Sequence, residues 1–142
     1  MKAKFSVLGE PQGKARARTV RLKNGASHTY TPDETVLYEN LVRTEYRRQC
    51  GTVKFPDNAM LDMRIIAYYT IPASASKKRK RLMEDGDIRP TKKPDMDNIV
   101  KAVSDALNQV AFRDDSQVVD CQVRKFYSTQ PRVEVTILTV NN

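Results

Sequence analysis

The stretch from Lys92 to Asp120, KKPDMDNIVKAVSDALNQVAFRDDSQVVD, holds six aspartates and no glutamate. Pro94 fixes an extended approach and disfavours helix at Lys93. Asp95 and Asp97 follow at a spacing of two. Asp97 suits a helix N-cap, because its carboxylate can accept from the free N–H groups of a first turn. Beyond it Ile99, Val100, Val103, Ala106, Leu107 and Val110 recur at helical spacing and predict one apolar face, with the helix fraying near Asn108. Asp97, Lys101 and Asp105 stand four apart and fall on the opposite face. A short loop then delivers Asp114 and Asp115, and a valine-rich strand follows.

Each residue taken singly has an ordinary use. Asp97 caps, Lys101 and Asp105 form a solvated ion pair worth a few tenths of a kcal/mol, and Asp114-Asp115 is a polar turn. Together they are harder to explain, since carboxylates crowded at one helix start repel one another unless cations neutralise them. Oxygen ligands suit hard divalent cations, and Mg²⁺ typically takes one or two carboxylates, water and substrate phosphate. Such a cluster fits phosphodiester hydrolysis, in which metal ions activate water and hold the leaving oxygen.

KPD-x-DN, the lysine at 101, DAL at 105–107 and DDSQV at 114–118 together resemble the signature of RusA-type Holliday junction resolvases, small phage and prophage endonucleases. The resemblance is strongest over Lys92–Asp120 and looser over the first half. It implies a Mg²⁺-dependent homodimer, with Mn²⁺ as a substitute ion, that cuts four-way junction DNA symmetrically in recombination and repair. It implies that Asp95, Asp97 and Asp115 bind the metal and that Lys101 serves catalysis; Asp114, next to Asp115, reads as a further candidate ligand.

The chain has 142 residues, enough for one domain with a real core and little room for a second. Its formal charge is +8 and its pI near 9.6, which favours a polyanionic partner. The charge is concentrated. Lys14, Arg16, Arg18, Arg21 and Lys23 stand in one segment without acids, centred on a predicted Asn24-Gly25 hairpin turn. A second segment, Ser74 to Lys93, carries Lys77, Lys78, Arg79, Lys80, Arg81, Arg89, Lys92 and Lys93 against three acids. Such footprints track a phosphate backbone, although a basic edge also discourages sheet aggregation and a basic run can be a solvated helix face. Lys14, Arg16, Arg18, Lys77–Arg81, Lys92 and Lys93 are the expected DNA contacts. Two cysteines are too few for a disulfide scaffold and predict a reduced, cytosolic protein. No apolar run reaches membrane-spanning length, and Met1 leads into an alternating segment rather than a signal peptide, so no membrane partner is expected.

The remaining chain predicts the frame. Lys4–Gly9 reads as a first strand. Thr31-Pro32-Asp33-Glu34 spells a capping box, with Thr31 as cap, for a helix that turns Val36, Leu37, Leu41 and one of Tyr38 or Val42 inward and ends near Cys50, packed at its end. His28, the one histidine, is expected on a strand surface. Met60–Ile71 is dense enough in apolar residues to be a central strand buried on both faces. Lys77–Met83 predicts a short helix. Val119, Cys121 and Val123, then Val133, Val135, Ile137 and Leu138, predict a two-stranded antiparallel finish with Cys121 in the core. The expected fold is a single α+β domain over 1–142, a mixed β-sheet packed with helices. The expected function is a structure-selective, metal-dependent endonuclease. Its rivals are a non-catalytic junction-binding protein whose acids only support a helix, and a hydrolase of small phosphate esters, which the concentrated basic segments argue against.

Overall fold

Apolar residues at every second position build the sheet, and those at every fourth build the helices that cover it. The computed structural model describes residues 1–15 and 17–141, so the expected phosphate contact at Arg16 lies outside the described residues. The elements run β1 (Lys2–Leu8), β2 (Arg18–Arg21), β3 (Ser27–Tyr30), α1 (Asp33–Cys50), β4 (Leu61–Thr70), α2 (Lys77–Glu84) and α3 (Met96–Leu107). A short 3-10 turn (Asp115–Gln117), β5 (Val118–Ser128) and β6 (Arg132–Thr139) complete the order. One mixed sheet has the strand order β1-β6-β4-β5, and β2 and β3 form a separate hairpin. β6 runs antiparallel to both β1 and β4, whereas β4 and β5 are parallel. The predicted α+β architecture is therefore the observed one.

One face of the sheet is dry. Phe5 and Val7 of β1, Met63, Ile65 and Tyr69 of β4, and Val133, Val135 and Ile137 of β6 share a core with Tyr38, Val42 and Tyr46 of α1 and with Ile99, Val103 and Leu107 of α3. Tyr46 meets Phe5 edge-on with ring centroids 5.3 Å apart, and its hydroxyl donates to the Val53 carbonyl at 2.6 Å. His28 lies exposed on β3, as expected.

Several expectations are corrected. β4 is central but alternates: Leu61, Met63, Ile65, Ala67 and Tyr69 are buried, while Arg64 and its neighbours on the other face reach solvent. Its other-face apolar residues, Ile66 and Tyr68, stay only half-buried, because helices α1 and α3 pack on one side alone. β5 and β6 do not pair, since β4 lies between them. α2, α3 and the loop after them carry the chain across the sheet, as a parallel β4–β5 pair requires. β5 is consequently an edge strand, and Cys121 is exposed there rather than buried. Helix α1 begins one residue later than its capping box suggests: Pro32 occupies the cap and no side chain closes it. Of the residues expected to face inward from this helix, Tyr38 and Val42 do so and Val36, Leu37 and Leu41 do not. Thr35, Tyr38, Val42 and Tyr46 are buried at near-four spacing, and Val36, Leu37 and Leu41 are exposed. Two tyrosines with polar tips make the wider buried face, and their rings fill more volume than the leucines opposite. Cys50 does pack at the helix end, its thiol donating to the Lys4 carbonyl.

Phe5 is 1 % exposed and its ring fills the space between β1 and Tyr46. Phe5→Ala is expected to cost about 3–5 kcal/mol in urea unfolding, the range for emptying an aromatic core position.

Candidate active site

Helix α3 carries the expected charged residues and the sheet decides where they point. Its buried residues, Ile99, Ala102, Val103, Ser104, Ala106 and Leu107, face the core, which turns Asp97 and Lys101 outward. The cap is Asp95 and not Asp97: Asp95 has extended angles (φ −73°, ψ 160°), and Asp97 already lies in the first turn. The shift follows from Pro94, which ends the extended segment immediately before Asp95. The Asp95 side chain makes no capping hydrogen bond, so both carboxylates remain exposed at the positive end of the helix.

Two clefts flank this helix start. One, of about 700 Å³, is lined by Asp95 and Asp97 together with Gln12, Gly13, Lys14, Lys93 and Asn98. The other, of about 750 Å³, is lined by Asp97, Val100, Lys101, Ser104 and Asp115 and continues to Cys121 and Gln122 on β5. Asp97 belongs to both. Asp115 reaches its cleft because Asn108, just past the end of α3, accepts its backbone N–H through Oδ1 at 2.9 Å. Gln117 braces the same loop: Oε1 accepts from the N–H groups of Arg113 and Asp114, while Nε2 donates to the Pro56 and Ala59 carbonyls.

Asp114 is set apart from its neighbour. Its carboxylate accepts from the Ser116 N–H at 3.0 Å in a capping box, and that hydrogen bonding holds its pKa below the usual carboxylate value. Neither cleft includes it. The capping bond explains Asp114, whereas Asp95, Asp97 and Asp115 line the open clefts, where Glu34 of α1 joins Asp95 and Asp97 in the first.

Lys101 and Lys14 divide the cationic work. Lys14 lies between Glu39 of α1, at 2.5 Å, and Asp105 of α3, at 3.3 Å. Burial opposes its charge, but these two carboxylates raise its pKa overall. It is thus a tie between two helices. Lys101 is far more open, with its side chain 63 % exposed and 3.7 Å from Asp105. Asp105 already has Lys14, so an ion pair alone does not explain Lys101.

The strap before the hairpin closes the first cleft. The Lys14 N–H donates to the Asn98 carbonyl at 3.0 Å, and a hydrogen bond joins the Gln12 backbone to Tyr38, whose hydroxyl is pushed up to about 12 by burial. At Gly13 a Cβ would come within 2.9 Å of both Pro94 Cβ and Asn98 Cβ. Sequence reasoning missed Gly13, Glu39, Asn108 and Gln117 as supports. Their partners lie far along the chain, and no periodic signal marks them.

The basic segments are displayed differently. Arg18 is exposed on the β2–β3 hairpin. Ser76 caps α2 by accepting from the Arg79 N–H, and Met83 buries the inner side of that helix against the sheet. Lys77, Lys78, Arg79 and Arg81 are left exposed, Lys80 is half-buried, and Lys92 and Lys93 are exposed on the way to Asp95.

The donor set is chemically suited to a hard cation, being carboxylate oxygen throughout. Among the described residues, no group of three or more His, Cys, Asp or Glu side chains is close enough to hold an ion by itself. One or two carboxylates with water and a substrate phosphate are sufficient for Mg²⁺, and Asp97 shares one cleft with Asp95 and the other with Asp115. Among the described residues no helix is long and apolar enough to cross a membrane.

A family model described as endodeoxyribonuclease RusA matches residues 9–138. A protein of Bacillus subtilis (strain 168), named uncharacterized protein YqaN, is 40% identical over 138 residues, covering 97% of this chain and 96% of its own length.

The tight contact at Gly13 generates a prediction. Gly13→Ala must push the strap away from Pro94 and Asn98 and is expected to cost about 1–3 kcal/mol, as overpacking does. Urea unfolding measures it, and a variant as stable as the parent would show that the strap is not held at this distance.

Proposed function

The chain belongs to the RusA endodeoxyribonuclease family, and from that premise we propose that it cuts four-way junction DNA by metal-dependent phosphodiester hydrolysis, in recombination and repair. The observation that carries the reading is the double membership of Asp97. One cleft joins it to Asp95 and the other joins it to Lys101 and Asp115. A strand laid along the helix start would pass over Asp97 with acids on both sides, the exposed Lys101 in one cleft and the exposed Lys93 in the other.

In this reading Asp95, Asp97 and Asp115 would hold divalent metal, Mg²⁺ or Mn²⁺, and Asp114 would shape the loop that presents Asp115. The bound ion would supply an activated water and charge neutralisation at the leaving oxygen. Lys101 contacts a nonbridging oxygen of the scissile phosphate and offsets charge that develops there in the transition state. Positive α3 N-terminal N–H groups favour the same anion. The exposed cations of α2, with Arg18, Lys92 and Lys93, follow the DNA backbone and supply salt-dependent affinity. A four-way junction has approximate two-fold symmetry, and paired nicks need two sites, which a C2 homodimer provides.

A non-catalytic junction-binding protein is the second reading, favoured by the lack of a closed three-ligand group among the described residues. Incubation with a synthetic four-way junction, with and without Mg²⁺, separates the two. Symmetric nicks that require the cation support the nuclease, and binding without cutting at any Mg²⁺ or Mn²⁺ concentration supports the rival.

Two substitutions extend this test. Asp97→Asn is expected to abolish cutting while junction binding stays the same or tightens, because a ligand is lost and repulsion toward phosphate falls. Near-normal cutting would remove Asp97 from the metal site. Lys101→Met keeps the stem and drops the charge. It should leave the melting temperature within a degree or so of the parent, since an exposed helix pair is worth only a few tenths of a kcal/mol. Single-turnover cutting should fall by about 100-fold or more, the scale of one lost transition-state donor. A variant that melts early yet cuts normally when folded would make Lys101 an ion-pair partner and nothing else.

A further inference from the structure

Two side chains on the sheet reach the segment just ahead of Asp95, and neither has a role in the reading above. Tyr69, near the end of β4, is 1 % exposed, and its hydroxyl donates to the Pro94 carbonyl at 2.7 Å. Lys125, on the neighbouring strand β5, donates through Nζ to the Lys92 carbonyl at 2.6 Å. Its ammonium stands 5.0 Å from the centroid of the Tyr69 ring. The two groups therefore grip alternate carbonyls, at residues 92 and 94, immediately before the first acid.

We infer that Tyr69 and Lys125 are positioning residues which hold the 92–94 segment on the sheet and thereby set Asp95 and Asp97 at the start of α3. The inference rests on the junction-cutting reading for its catalytic consequence, though the clamp itself is a matter of geometry.

Three features favour this over a bland packing role. Lys92 lies in an exposed segment whose carbonyl water could satisfy, so structure alone does not call for a half-buried ammonium there. Burial lowers the pKa of Lys125 and the charge of Asp95 pulls it back, which places the ammonium within the field of that carboxylate. The Tyr69 hydroxyl is pushed up, first by burial and then by the charges of Asp95 and Glu10. Glu10 is thus a further acid at this end, tied down by accepting from the Thr70 N–H at 3.1 Å. The Lys125 hydrogen bond fixes the chain that leads into Asp95. Supports that orient metal ligands typically change metal affinity or activity by about 10–100-fold, and here the orienting bonds act through the backbone that leads into Asp95.

The test compares Lys125→Met, Lys125→Arg and Tyr69→Phe in the full chain. Amide hydrogen exchange in metal-free protein reads the clamp without any cutting. Lys125→Met should speed exchange in residues 92–99 and leave β4 and β6 unchanged. In single-turnover cutting it should raise the Mg²⁺ concentration for half-maximal rate by about 10–100-fold, with junction affinity near that of the parent. Lys125→Arg keeps a cation able to reach the carbonyl and should recover most of both losses. Unchanged exchange over 92–99, an unchanged Mg²⁺ requirement, or an Arg variant as impaired as the Met variant would each overturn the inference. Lys125 is half-buried at a sheet edge, so its variants decide the matter even where Tyr69→Phe folds poorly. A parent protein that cuts no junction would defeat the proposed function separately, and the exchange measurement would still decide the clamp.

Discussion

Burial of one apolar stripe of α3 against the sheet is the interaction on which the site depends. Ile99, Val103, Ala106 and Leu107 are each at most 1 % exposed. A helix seated that firmly has no freedom to roll, since turning it would drag leucine and isoleucine into water at about 25 cal/mol per Å². Asp97 and Lys101 are held outward as a result. The same seating places the end of α3 where Asn108 can receive the Asp115 N–H and fold the following loop back beside the helix.

The parallel β4–β5 pair adds a second consequence. To return in the same direction, the chain must cross over the sheet, and the crossover consists of α2, the 92–95 segment and α3. Basic and acidic parts are therefore adjacent by topology: α2 docks its Met83 side against the sheet and shows its cations, and the chain then leads through Lys92 and Lys93 to Asp95. Exposed cations and exposed carboxylates are thus set apart along one connection, the cations on α2 and the acids at the start of α3.

Several charges that look alike in the sequence do different work. Lys14 and Lys101 flank Asp105, yet Lys14 is enclosed by two carboxylates and Lys101 is open to solvent. Asp114 and Asp115 are adjacent, yet Asp114 closes a turn on Ser116 while Asp115 lines the cleft with Asp97. In each pair the difference lies in distant partners, Glu39 in one and Asn108 in the other.

What the sequence determined by itself was the local grammar. Helical spacing from Ile99 to Leu107 set α3 and its charged face, alternation set β1 and β6, dense apolar content marked β4 as a strand without showing its open face, and the motif from Pro94 to Val118 marked the family and the acids. Those signals depend on neighbours within a turn or two, so they can be read from one strand of letters. The tertiary structure alone decided that β4 separates β5 from β6, that Cys121 lies on an exposed edge, and that Tyr38 and Tyr46 rather than Leu37 and Leu41 face inward. It also decided that Lys14 ties helices together and that Tyr69 and Lys125 grip the approach to Asp95. Each of these depends on which distant surface a side chain meets. A single period along the chain cannot encode that, because burial is a property of two surfaces brought together.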